Sequence, residues 1–148
     1  MSDKKVPMLQ VAAKAIIVNP EGKVLIMREA GESYEEGTNA GLYHGAAGGR
    51  INPEEAFPDA LKREVEEETG ITDFEPLYPV HVGEWWPVIK EVKRHIVAIF
   101  VVCKTSIQDV QLSDEHDEYH WVTIEELDNF NLLAPDRAAI HAYIASRT

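Results

Sequence analysis

Residues 63–71 read REVEEETGI and place four glutamates within five consecutive positions. Glutamates three or four residues apart on a helix repel each other by about 0.2–0.5 kcal/mol per pair. A solvated helical face would tolerate such a run, whereas a bound cation would remove the repulsion. The residues around the run decide between these two interpretations.

The segment containing this run is predicted to be a helix over residues 53–69. Asn52 is a candidate N-cap, a proline follows it in the first turn, and Gly70 supplies the C-terminal stop. Pro58 would lie about one turn into this helix. We therefore expect an irregular first turn, with the regular helix beginning near Phe57.

The helical period places three of the glutamates on one face. Successive residues advance by about 100°, so Glu64, Glu67 and Glu68 share an arc, while Glu66 points almost oppositely and is predicted to be solvated. Val65 marks the core-facing side, adjacent to Glu68. The spacing thus predicts a carboxylate cluster beside the core. Hard divalent cations such as Mg²⁺ prefer such oxygen ligands.

The longer stretch 49–71, GRINPEEAFPDALKREVEEETGI, resembles the signature of the Nudix hydrolases, the MutT-related pyrophosphohydrolases. That signature is a glycine, five residues, a glutamate, seven residues, then Arg-Glu-aliphatic-any-Glu-Glu-any-Gly-aliphatic. Every specified position is filled, by Gly49, Glu55, Arg63, Glu64, Val65, Glu67, Glu68, Gly70 and Ile71. The resemblance covers about residues 11–127, with one departure, because Ala47 stands where the family often has proline.

The resemblance implies hydrolysis of the pyrophosphate linkage in a nucleoside diphosphate derivative, either a nucleoside triphosphate or an ADP-ribose-like nucleotide. The implied cofactor is Mg²⁺, with Mn²⁺ as an alternative. By the family pattern, Glu67 and Glu68 are the principal metal ligands, and Glu64 is a further ligand or the base acting on water. The backbone carbonyl of Gly49 would add another metal ligand. Arg63 would orient the glutamates rather than touch the substrate.

The family often adds an acidic residue from a later loop, and residues 113–121, SDEHDEYHW, contain four carboxylates. Glu115 is favoured as a metal ligand because its distance from Trp121 resembles the family pattern. The alternatives are Asp114, Asp117 and Glu118.

Two other reactive residue types in the chain have structural explanations. His116 and His120 form an H-x3-H pair, a spacing that can bind zinc when both residues lie on a helix. This stretch is predicted to be a loop entering a strand, so no zinc site is expected. Cys103, the one cysteine, lies in the most apolar strand and is expected in the core. A single cysteine also excludes an internal disulfide framework and fits a reducing compartment.

Substrate recognition is less strongly indicated. Trp85, Trp86 and Tyr34 are candidates to stack on a nucleobase, and each is also a candidate for an ordinary core or rim residue. Pro87 lies sixteen residues past the signature, which resembles a mark of the ADP-ribose-cleaving subfamily. A nucleoside triphosphate remains at least as well supported as a substrate.

The remaining segments predict an α/β fold, a Nudix-type α/β/α sandwich on a mixed β-sheet, with residues 1–148 forming a single Nudix hydrolase domain. A hairpin, a glycine-rich loop at 29–49 with a short strand near Tyr43, and an acidic loop at 113–120 are expected. The predicted strands are 9–19, 23–29, 74–86, 95–104 and 121–124, and the closing helix is 135–146.

Composition limits the function classes. The net charge of −12 argues against a nucleic-acid polymer as partner, and the longest apolar runs have strand length, so no membrane is expected. We expect a cytoplasmic protein, a monomer or homodimer, whose partner is a nucleotide. Two alternatives are open: a non-catalytic nucleotide-sensing or regulatory Nudix module, and a Nudix-fold isomerase of isopentenyl diphosphate. The isomerase needs an upstream cysteine, whereas Cys103 lies downstream.

Overall fold

A computed structural model describes residues 8–31 and 39–147 of the chain. Within these residues eight strands form a curved sheet with one helix on each face. In chain order the elements are β1 (Met8–Val18), β2 (Val24–Glu29), β3 (Tyr43–His44), β4 (Ala47–Arg50), α1 (Phe57–Thr69), β5 (Glu75–Trp85), β6 (Val88–Ile89), β7 (Val92–Lys104), β8 (His116–Val122), a 3₁₀ helix (Glu125–Asn129) and α2 (Ala134–Ser146).

The sheet is mixed, as the sequence predicted. Its main strand order is β3-β2-β1-β7-β5, with β4 paired to β1, β6 to β7 and β8 to β2. Strands β1 and β7 run parallel, and the other pairs are antiparallel. The predicted β1–β2 hairpin is confirmed. This topology brings the glycine-rich β4 against the middle of β1, directly before α1.

Successive side chains of β1 point to opposite faces of the sheet and so belong to two separate core layers. Ile17 belongs to the buried cluster that contains Leu61 and Val65 of α1. Its neighbour Ile16 points to the other face, in the cluster that contains Ile140 of α2. Each fully buried aliphatic side chain of this size contributes roughly 1.5–3 kcal/mol of transfer free energy. The predicted α/β/α sandwich is therefore confirmed.

The start of α1 corrects one prediction. The helix begins at Phe57, as the position of Pro58 indicated, but Asn52 is not its N-cap. Ala56 occupies that position with an extended backbone and no side-chain cap. Glu54 has a left-handed φ of 65°, so a turn separates Asn52 from the helix. A helix starting near residue 53 would also place the ring of Pro58 against a carbonyl one turn back.

The end of α1 agrees with the sequence. Gly70 adopts a φ of 72°, and its N–H donates to the Glu66 carbonyl at 2.9 Å. Such a left-handed residue closes the last helical turn, and glycine adopts it without the steric cost that a Cβ imposes. This exact stop fixes where the preceding glutamates lie relative to β4.

Two strand predictions were incomplete. The strand predicted at 121–124 begins at His116, because β2 supplies partners from Glu29 down to Val24. The acidic loop is correspondingly shorter than predicted. Strand β4 lay inside a predicted loop, because its sequence Ala-Gly-Gly-Arg has low strand propensity. It forms through pairing with β1, a contact that its local sequence does not indicate.

None of the helices within residues 8–31 and 39–147 is long and apolar enough to cross a membrane.

Candidate active site

The buried carboxylate of Glu68 lies where α1 meets β4. Glu68 is 6% exposed, and its two carboxylate oxygens accept the Gly48 N–H at 3.3 and 3.2 Å. Burial raises the pKa of Glu68 to about 8, Lys14 and the Gly48 N–H act to lower it, and the Glu64 and Glu115 carboxylates raise it further. A buried carboxylate with only partial charge compensation is stabilised by a cation.

Arg63 organises the neighbouring carboxylates. Its guanidinium donates twice to Glu55, at 2.8 and 2.9 Å, and once to Glu64, at 2.9 Å. A longer contact of 3.5 Å reaches Glu67 in the next turn. The hydrogen bonds from Arg63 are the main reason that the pKa of Glu55 is lowered to about 2. Arg63 thus ties the helix to the turn before it and sets the direction of Glu64.

Gly49 provides the space that Glu64 occupies. A Cβ at position 49 would lie 2.7 Å from both carboxylate oxygens of Glu64, closer than real Cβ contacts come. The Glu64 side chain is only 15% exposed, so its carboxylate is held against the β4 backbone. This cradle brings the Gly49 backbone and the Glu64 oxygens together at one place.

Gly49→Ala is expected to reduce the turnover number about 100-fold, the scale of a roughly 1 Å misplacement in an active site. The methyl group would displace the end of a flexible side chain, so the melting temperature should change little. Gly83→Ala is the matched control, because its Cβ would meet nothing nearer than 3.5 Å. Steady-state kinetics and thermal denaturation of both variants check this, and full activity in Gly49→Ala would show that the cradle is not needed.

The carboxylates do not converge into a closed metal site in this arrangement. Among residues 8–31 and 39–147, no three carboxylate, imidazole or thiol side chains are placed to hold one ion. Glu64 and Glu67 turn toward Arg63, and Glu68 turns toward a backbone N–H. The Glu67 side chain is 58% exposed and can leave its 3.5 Å contact freely. The all-oxygen donor set and the glycine cradle fit a hard divalent cation once Glu67 rotates.

Two adjoining cavities open beside this cluster, and both are lined by Lys14, Gly48 and Glu115. The polar arm, of about 360 Å³, is further lined by Glu29, His44, Glu68, Asp114 and His116. The Trp85 arm, of about 250 Å³, is further lined by Ala12, Gly49, Arg50, Glu64, Trp85 and Ile96. Together the two arms form a cleft beside the carboxylates, and both arms are lined by charged residues, with Trp85 and Ile96 adding an apolar surface to one of them.

The four downstream carboxylates separate into two groups. Glu115 lines both arms, Asp114 lines the polar arm, and the Glu115 carbonyl accepts the Ala30 N–H at 2.8 Å. The other two lie on β8 and are paired there, Asp117 with Arg28 and Glu118 with Tyr43 and His120. This placement favours Glu115 among the four, and its role as a metal ligand stays a prediction.

The aromatic candidates are also separated. Trp85 is half-buried and lines the cleft. Trp86 instead stacks on His95, with ring centroids 4.7 Å apart and planes 15° from parallel. Pro87 lies in the turn before β6, where its carbonyl accepts the Arg94 N–H at 2.9 Å. Tyr34 lies outside the described residues.

Lys14 is a site residue that sequence reasoning missed. It lies on β1, and its Nζ donates to the Gly48 carbonyl at 3.3 Å beside Glu68. The signal was present, because a lysine interrupts the apolar run VAAKAIIV in the most central part of the sheet. A charge in a buried strand is uncommon unless another charge pairs with it.

Neither the pair His116 and His120 nor Cys103 is placed for a zinc site or for nucleophilic chemistry. His116 and His120 are four residues apart on one strand, about 13 Å along it, which is too far to share an ion. His116 is buried, and burial lowers its pKa to about 4. Cys103 is fully buried, and burial raises the pKa of its thiol to about 12, so it is not a nucleophile at neutral pH.

The buried state of Glu68 gives a stability prediction for the protein stripped of divalent cations. The folded-state pKa of about 8 lies above the ordinary 4.5, so the protonated carboxyl favours folding. That contribution is complete below about pH 4.5 and is lost as the pH rises through about 8. We expect Glu68→Gln to remove this decline in unfolding free energy.

Glu67→Gln is the matched control, because its exposed carboxylate should leave the decline unchanged. Denaturant unfolding in a chelator at about pH 5, 7 and 9 provides the measurement. Identical pH profiles for wild type and Glu68→Gln would contradict a buried, poorly compensated carboxylate.

The chain is similar in sequence and fold to known proteins. The model of the NUDIX domain family matches residues 8–144. The nucleoside triphosphatase NudI of Klebsiella pneumoniae (strain 342) is 27% identical over 137 residues, which cover 84% of this chain and 89% of that protein. The CTP pyrophosphohydrolase of Escherichia coli (strain K12) is 28% identical over 141 residues, covering 95% and 96% of the two chains. The crystal structure of a MutT protein from Methanosarcina mazei Go1 has a TM-score of 0.77 at 29% identity, over 98% of this chain and 100% of that chain.

Proposed function

Because this chain belongs to the Nudix family of pyrophosphohydrolases, we propose that it hydrolyses nucleoside triphosphates with Mg²⁺ as the cofactor. The observation that carries the proposal is the buried Glu68 carboxylate, which lines the polar arm and is close enough to Glu64 and Glu115 that both carboxylates raise its pKa. The names of two relatives, a nucleoside triphosphatase and a CTP pyrophosphohydrolase, support the substrate class.

Substitution at phosphorus needs alignment and charge neutralisation more than covalent help from the protein. Glu67, Glu68 and the Gly49 carbonyl would hold the cation from one side, and Glu115 from the other. When bound, Mg²⁺ screens the phosphate charge and makes water more acidic. Glu64 would either add a ligand or accept the proton of the attacking water, and its position against β4 suits both roles.

The other cleft residues would bind and orient the substrate. Arg63 keeps Glu64 in place and is engaged with protein carboxylates. Lys14 lines both arms, and its ammonium would contact phosphate oxygens. The half-buried ring of Trp85 would pack against the nucleoside, a contact worth roughly 1–3 kcal/mol when a base stacks on an aromatic ring.

The test is turnover of a nucleotide panel by metal-stripped protein to which Mg²⁺ or Mn²⁺ is added. The panel holds the ribo- and deoxyribonucleoside triphosphates and ADP-ribose, with phosphate measured with and without added inorganic pyrophosphatase. We expect a nucleoside monophosphate and pyrophosphate from at least one triphosphate, and no turnover in a chelator. Turnover of ADP-ribose alone would contradict the proposed substrate class.

The non-catalytic alternative predicts a different result in the same assay. A nucleotide-sensing module would bind a nucleotide with Mg²⁺ and leave it intact over hours. The chain retains every glutamate of the signature. A module that only binds a nucleotide has no chemical step that requires all of them. The retained set therefore favours an enzyme.

A further inference from the structure

The segment 82–88, which joins β5 to β6, exposes apolar side chains on one side of the sheet. Exposed and half-buried residues alternate along it, and three of its four exposed side chains are apolar. These are Val82, Trp86 and Val88, which are 63%, 49% and 65% exposed, and the fourth is Glu84. A strand with one solvated face normally presents polar residues to water. The reversed pattern suits this side of the strand to a partner better than to water.

The register of the sheet continues this surface onto β7 and β1. Glu84 is the partner of Val97 on β7, and on β1 Val11 is the partner of Val97 and Leu9 of His95. Paired residues project from the same face of a sheet. Leu9 is 62% exposed and Val11 is 37% exposed. We call this surface the back face, formed by Leu9, Val11, Val82, Trp86 and Val88 around the half-buried Val97.

The back face lies beyond the part of the sheet that α1 covers. Ala13, the next residue of β1 on this side, is fully buried in the cluster that contains Leu61 of α1. The opposite side of the same strands lines the cleft, because Trp85 and Ile96 alternate with the back-face residues. A partner on the back face therefore leaves the cleft open.

The back face has the size of one half of a protein–protein interface. Its five exposed apolar side chains present roughly 500 Å² of surface, near the upper end of the largest patch on a typical monomer. The adjoining side chains of Glu84, Lys93 and His95 extend it to roughly 800 Å², the share of one partner in a standard interface. The area is thus sufficient for a specific complex.

The charge of the back face favours a second copy of this chain as the partner. The face carries one carboxylate, Glu84, which lies 2.8 Å from the ring of His95, and one ammonium, on Lys93 beside Val88. The whole chain has a net charge of −12, so two copies repel each other elsewhere, and an anionic membrane is repelled as well. The balanced back face is where this repulsion is smallest.

We propose that the back face is the contact surface of a homodimer in which the two sheets pack face to face about a two-fold axis. Trp86 is the anchor, because its ring already stacks on His95, with centroids 4.7 Å apart, and the residue is still 49% exposed. A large aromatic side chain that is fixed before association loses little entropy on binding. The inference concerns association alone and does not depend on triphosphate hydrolysis.

Sedimentation velocity of the whole chain without nucleotide, from about 1 to 200 μM, tests the inference. We expect dimers in the upper part of this range, since interfaces of this size have dissociation constants of about 1 μM or lower. Val82→Lys and Leu9→Lys introduce charge from two different strands, and each should weaken dimerisation at least about 10-fold. Leu77→Lys is the matched control, because Leu77 lies on the same strand as Val82, is 45% exposed and lines a different surface.

The controls separate loss of association from loss of folding. Melting temperatures, measured at a concentration where wild type is monomeric, should be similar in all variants, because lysine is well tolerated on exposed strands. Hydrogen exchange of wild type adds a measurement that needs no variant, and exchange within residues 82–88 should slow as the concentration rises.

Three results would overturn the inference. The first is a wild-type protein that stays monomeric at about 200 μM, and the second is equal weakening by Leu77→Lys and Val82→Lys. The third is exchange in residues 82–88 that is indifferent to concentration. A monomeric wild type that cosediments with phosphatidylcholine vesicles, when Val82→Lys does not, would assign the back face to a membrane instead.

Discussion

Glu68→Gln is expected to lower the turnover number about 100- to 1,000-fold, the scale of losing one preorganised electrostatic contact in an active site. The amide keeps the size of the side chain but is a poor ligand for a hard cation. The effect should fall on catalysis, since the neutral side chain suits the buried position at least as well as the carboxylate does. Steady-state kinetics with saturating Mg²⁺ and a nucleoside triphosphate measure it.

The adjacent glutamates supply the controls. Glu67→Gln should show a comparable loss, because it removes another expected ligand. Glu66→Gln should retain nearly full activity, since the helical period places Glu66 opposite Glu64. Glu66 is half-buried rather than fully solvated, and its side chain makes no hydrogen bond or ion pair in the described part of the chain. Equal losses in all three variants would contradict the assignment of one helical face to the site.

Glu115→Gln is expected to reduce the turnover number about 10- to 1,000-fold, the scale of one lost electrostatic contact in the transition state. Glu115 lies in the turn before β8 and lines both arms of the cleft. Its carbonyl, rather than its carboxylate, holds that turn to Ala30. The substitution should therefore leave the melting temperature nearly unchanged. Kinetics and thermal denaturation of the variant test both parts.

Three nearby carboxylates are the controls for this prediction. Asp117→Asn and Glu118→Gln should be close to wild type in activity, because both side chains are paired on β8. Asp114→Asn tests the neighbour that also lines the polar arm. If one of these variants loses activity while Glu115→Gln keeps it, the assignment of the downstream ligand to Glu115 is wrong. Full activity in all four would mean that α1 and β4 alone form the site.

The geometry of α1 could be predicted from the sequence because it depends on the helical period and on two local signals, Pro58 near its start and Gly70 at its end. The 100° advance placed Glu68 beside Val65, and the structure finds Glu68 buried in that position. The helix stop at Gly70 follows from the same local rules. The N-cap prediction at Asn52 failed because Glu54 turns the chain before the helix starts.

The rest of the site depends on contacts between distant segments, which local patterns do not specify. Lys14 and Gly48 are 34 residues apart, and only the pairing of β1 with β4 brings the lysine to the carboxylates. The length of β8 was likewise set by its partner β2, so His116 became a buried strand residue rather than part of a loop. A lone charge within an apolar strand was the one local sign of this arrangement.

The most direct test of the account is to locate Mn²⁺ by anomalous scattering in crystals of the protein with a non-hydrolysable nucleoside triphosphate analogue. We expect Mn²⁺ within bonding distance of Glu68 and at least one of Glu64 and Glu67, in contact with the phosphates. Ordered nucleotide in the cleft with no Mn²⁺ at these carboxylates, at millimolar Mn²⁺, would contradict the claim that they form the metal centre.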